Sequence, residues 1–155
     1  MTQKKSPKIG DIVQIATNQG YAYAQLTHRN KLLGYLLRIL PGFHPEPLTE
    51  FATKVQSREL YQTFVFRDDL YESPVVMIVG HEDVPKDAQA FPIFRDGIRD
   101  PATKQVTDWW LWDGTTSQKI GKLDDQQKAL SIRSIWNYKI LVDRVGKGWM
   151  PADEC

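Results

Sequence analysis

The sequence predicts an α+β fold: a mostly antiparallel twisted sheet, or a partly open SH3-like barrel, with about three short helices. Three observations predict it. The first forty residues form three runs with alternating apolar positions, separated by turn residues. Further short strand-like runs follow, among them the continuously apolar "PVVMIVG". Stripes with helical spacing are few and short. The 155 residues suit a single domain over 1–155, with residues 1–8 as a flexible tail.

Each element has its own reason. "GDIVQIAT" sets Val13 and Ile15 on one side, and "NQG" is a turn. "GYAYAQLTH" then sends Tyr21, Tyr23 and Gln25 to one face and Ala22, Ala24 and Leu26 to the other. After "HRNK", Leu33, Tyr35, Leu37 and Ile39 alternate through a third strand, which "PGFHPEP" ends. Leu48, Phe51, Ala52 and Val55 have helical spacing, with Pro47 at the start. "LYQTFVF" alternates as a strand, "RDDLYES" is a charged bend, and "PVVMIVG" reads as a central strand. "HEDVPKDAQA" is a polar loop, and Pro92 makes "FPIF" a short strand or an edge. "RDGIRDPATK" is a turn region. "QVTDWWLWDG" and "TSQKIGKL" form a hairpin around Asp113-Gly114. Asp124 and Gln127 make a capping box for one helical turn. "SIRSIW" is the last strand. Asn137 caps a final helix with Tyr138, Leu141, Val142 and Val145 on one stripe, ended by Gly146 or Gly148. One long strand over 130–142 is the rival reading, and strands of that length are unusual.

Composition narrows the function. The chain is 41% hydrophobic and 25% charged, as globular chains are. Its one cysteine, Cys155, closes no internal disulfide, which points to the cytoplasm. No apolar run is long enough for a membrane span, so no membrane association is expected. A net charge of +1 gives no global field for nucleic acid. The basic residues of "TQKKSPK" read as a solubilising tail.

No catalytic set emerges. His28, His44 and His81 fall in separate predicted loops or turns, without metal-ligand spacing, and read as solvated. There is no G-x-S-x-G, G-x-G-x-x-G or P-loop. The expectation is therefore no enzyme, no catalytic residues, no metal and no cofactor. Asp124-Asp125 is explained by capping. The bend with Asp68, Asp69, Tyr71 and Glu72 mixes charge with an amphipathic ring, as protein interfaces do. In the tryptophan run, Trp109 and Leu111 share one strand face, and Trp110 and Trp112 share the other. Either both faces are covered, or one ring pair is a platform. Asp108 and Asp113 bracket the run, which disfavours a nucleic-acid platform.

Taken in order, "KIGDIVQI…GYAYAQLT", "PVVMIVG", "LWDG" and "SIW…LVDRV…GWMP" resemble the immunity protein 26 family of bacterial polymorphic toxin systems, over about residues 8–152. The resemblance implies a cytoplasmic protein without enzymatic activity that binds a cognate toxin and neutralises it by occlusion. Asp68, Asp69, Tyr71 and Glu72 are the expected toxin contacts, with whichever of Trp110 and Trp112 is exposed; Tyr21 and Tyr23 offer a second face. The alternative is an SH3-like peptide- or nucleic-acid-binding module using the aromatic strand. An unfamiliar enzyme is the third reading.

Overall fold

Turn chemistry and strand alternation organise the described residues into two open sheets and two α-helices. The computed structural model describes residues 6–154. Residues 2–5 of the basic stretch and Cys155 lie outside the described residues. The main sheet has six strands: β1 (Asp11–Thr17), β2 (Gly20–Asn30), β3 (Gly34–Ile39), β4 (Tyr61–Val65), β5 (Val76–His81) and β9 (Ile135–Trp136). Their order is β5-β1-β2-β3-β4-β9. All neighbours are antiparallel except β4 and β9. A second, three-stranded antiparallel sheet holds β6 (Phe94–Arg99), β7 (Val106–Trp112) and β8 (Ser117–Gly121). Neither sheet closes into a barrel. The helices are the single turn α1 (Asp125–Lys128) and α2 (Tyr138–Lys147). Among the described residues no helix is long and apolar enough to cross a membrane.

The predicted meander is present as β1–β3. At the β2–β3 turn Gly34 has φ +93°, and a Cβ there would stand 2.4 Å from the Val65 carbonyl oxygen. Only glycine fits that approach. The inner face of the main sheet carries Ala22, Ala24, Leu26, Tyr35 and Leu37, and Leu141 and Val145 of α2 pack in the same core. Asn137 Oδ1 caps α2 by accepting from the Ile140 N–H, and Gly148 ends it in the left-handed conformation. The Asp124–Gln127 capping box is formed on α1.

The outer face of the main sheet is divided into three zones. Ile12, Tyr23 and Leu40 pack under Phe51 and Val55. Leu36 and Phe64 pack under Phe94 and Trp112 of the second sheet. Between these clusters the register lines up Gln25, Arg38 and Gln62 across β2, β3 and β4. This polar row positions the cleft described below.

Several predicted elements differ. Residues 47–55 form no helix, although Phe51 and Val55 are buried as the stripe required. Only a 3-10 turn forms, at Lys54–Gln56. Tertiary anchors win over the periodicity: the Leu48 N–H donates to Tyr23 Oη at 2.7 Å, and Lys54 Nζ reaches the Pro41 carbonyl and His44 Nε2. β5 lies at the edge of the main sheet, not its centre. The predicted turn at 95–104 is partly strand, because Arg95 is buried and β6 runs to Arg99. Residues 7 and 8 are not a free tail. Pro7 is buried, and the Lys8 N–H donates to Asp11 Oδ2 at 2.8 Å.

Candidate functional site

The predicted contact residues fall on different sheets. After β4 the chain turns through a 3-10 segment, Arg67–Leu70, anchored by buried Leu70. Asp68 is exposed. Asp69 Oδ1 accepts the Tyr138 N–H at 2.9 Å, so its carboxylate completes the start of α2. Tyr71 is half-buried and packs against the main core. Burial pushes its phenol pKa up, opposed by the Arg67 guanidinium 5.7 Å from the ring. The Glu72 carbonyl accepts the Val75 and Val76 N–H groups.

Trp110 and Trp112 part company. Trp112 is 6% exposed and stacks among Phe64, Phe91 and Phe94, with Arg133 4.1 Å from its ring centroid. It belongs to the core and is unavailable as a contact. Trp109, 7% exposed, packs under Arg95 at 4.7 Å. Trp110 remains 40% exposed. Trp112 packs with Leu36 and Phe64 of the main sheet, a cluster that does not include Trp110. Asp96 and Lys119 stand directly opposite Trp110 on β6 and β8. Each is ion-paired, Asp96 with Arg133 at 3.4 Å and Lys119 with Asp108 at 3.7 Å. Ile98, at the break in the β6–β7 register, is exposed. Asp113 is spent on the hairpin turn. The Thr116 and Thr115 N–H groups, then the Thr115 hydroxyl, hold its carboxyl far below the ordinary range.

Tyr23 is not an outward face. It is fully buried, and its hydroxyl donates to Gln14 Oε1 at 2.9 Å. His28 and His44, read as solvated, have protein partners, while the His81 side chain is 52% exposed. His28 Nε2 donates to the Gln89 carbonyl at 2.9 Å. His44 Nε2 accepts from Lys54, and burial, then the Lys54 ammonium, lowers its pKa.

Two groupings were invisible in the sequence. Asp11 and His81 are register partners across β1 and β5. The His81 Nδ1–H donates to Asp11 Oδ1 at 2.9 Å, beside a cavity of about 460 Å³ that Tyr71 also lines. Among the described residues no three His, Cys, Asp or Glu side chains are placed to hold a metal. The other grouping is a cleft of about 600 Å³ with Arg38 in its lining, between residues 56–62 and the loops at 85–93 and 129–131. Neither leaves a sequence signal, because each depends on strand register. Compared with protein-family models, curated proteins and solved structures, the chain matches none.

Proposed function

We propose that this protein is an immunity protein that binds a cognate bacterial toxin in the cytoplasm and neutralises it by covering a working surface, making and breaking no bond itself. The observation that carries this reading is the exposed Trp110 on the second sheet. Its indole is the centre of a face rimmed by Asp96, Asp108 and Lys119. An aromatic centre inside a polar rim is the usual composition of a binding hot spot. The rim ion pairs hold those side chains in place before a partner arrives, which limits the ordering cost of association. The bend with Asp68 and Glu72 offers a second acidic contact, and Asp69 Oδ1 accepts the Tyr138 N–H at the start of α2. With net charge +1, recognition depends on these local groups and not on a global acidic field.

Growth rescue tests the proposal. The toxin is expressed from the neighbouring gene, with wild type or Trp110→Ala supplied beside it. Wild type is expected to restore growth. Trp110→Ala, folded by circular dichroism, is expected to weaken binding by about 2–4 kcal/mol and to lose rescue at low expression. Full rescue by the variant removes this face from the mechanism. Micromolar binding of the wild type to generic peptides or RNA, lost in Trp110→Ala while the fold survives, supports the SH3-like module instead.

A further inference from the structure

A guanidinium in an apolar setting spends its N–H groups on acceptors. Arg38 is 1% exposed and has five such groups. Among the described residues, three have protein acceptors. Nε donates to Gln25 Oε1 at 2.9 Å, one Nη to the Ser57 carbonyl at 3.1 Å, and the other to the Val55 carbonyl. No carboxylate among the described residues lies within ion-pair distance of it. Among the described residues two N–H groups thus remain without a protein acceptor. Arg38 lines both the cleft of about 600 Å³ and a neighbouring cavity of about 200 Å³. Burial lowers the Arg38 pKa, opposed by the Glu59 carboxylate, and an anion there would act in the same sense as Glu59.

The rest of the lining selects among anions. Leu60 and Ile93 line the cleft and are 41% and 49% exposed. Pro85 and Pro92 extend that apolar rim. Glu59 and Asp87 also line it, and they repel a dianion more strongly than a monoanion. A planar carboxylate matches the guanidinium fork.

We infer that the Arg38 cleft is a binding site for a carboxylate carried on an apolar body, its charge on Arg38 and its body against Leu60 and Ile93. This inference stands apart from the toxin-binding reading. The shared chemistry covers a small carboxylic acid and the C-terminal carboxylate of a peptide.

The test uses the whole chain and NMR of the Arg38 Nε–H and the Leu60 and Ile93 methyl groups. The probes are hexanoate against hexanamide, and the tripeptide Ala-Ala-Leu with a free against an amidated C-terminus. At least one acid is expected to give saturable shifts at all three residues, at about millimolar affinity and about tenfold tighter than its amide. Binding of hexanoate alone assigns a small acid, and binding of the tripeptide alone assigns a chain end. Arg38→Gln is expected to abolish the acid preference. Because Arg38 also ties the 55–57 segment to the sheet, Glu59→Gln supplies an independent arm: removing the repulsion should tighten the acid several-fold without changing the amide. Equal shifts for acid and amide, or no saturable shifts at these residues with any probe, overturn the inference and leave Arg38 as a loop tie only.

Discussion

Arg95→Ala is expected to destabilise the protein by about 3–5 kcal/mol, near the upper end for a single substitution. Arg95 is fully buried and joins the second sheet to the end of the chain. Its guanidinium donates to the carbonyls of Leu130 and Lys128, each at 3.3 Å, and of Pro151. Its plane covers Trp109 at 4.7 Å. Its backbone accepts from Arg133 and donates to Ser131, both at 2.9 Å. Alanine keeps the backbone bonds but leaves carbonyls without donors and a void over the indole. In a chain of this length the midpoint of thermal unfolding should fall by about 10 °C or more. Arg95→Met should recover part of the loss by refilling the space over Trp109, without restoring the carbonyl bonds. A loss below about 1 kcal/mol for the alanine variant removes Arg95 as the link between the two parts.

The second large effect separates two neighbouring rings. Trp112→Ala is expected to cost about 3–5 kcal/mol, because the ring fills the junction between the sheets and the cavity cannot fully collapse. Phe91 and Phe94 each stand 5.5 Å from it, centroid to centroid. Trp110→Ala should cost no more than about 1 kcal/mol, as a partly exposed side chain with little buried area. Urea unfolding of both variants checks the difference. Equal losses contradict the assignment of one ring to packing and the other to contact.

The sequence carried the local features well. The meander, the hairpin at Asp113-Gly114, the α1 capping box and the α2 stripe all rest on short-range chemistry: turn residues, caps and periodicity. The α+β class followed from those. Features decided by distant partners were not legible. The 47–55 stripe is satisfied by an irregular segment because Tyr23 and Lys54 fix its path. β5 is apolar but lies at an edge, since apolar content reports burial of its faces and not the number of neighbouring strands. Alternation paired Trp110 with Trp112 on one face, but could not say which of the two packs with the main sheet. For the candidate sites, Asp69 read as a contact because nothing local shows that Tyr138 donates to it from 69 positions away. The Arg38 cleft and the Asp11–His81 pair depend on strand register, which a residue list does not contain.

Amide hydrogen exchange of the chain, alone and with its cognate toxin, tests the binding account most directly. The expected result is slowed exchange in β7 and β8 (Val106–Trp112 and Ser117–Gly121), with α2 unchanged. Protection that leaves β7 and β8 untouched contradicts the assignment of Trp110 as the centre of the contact.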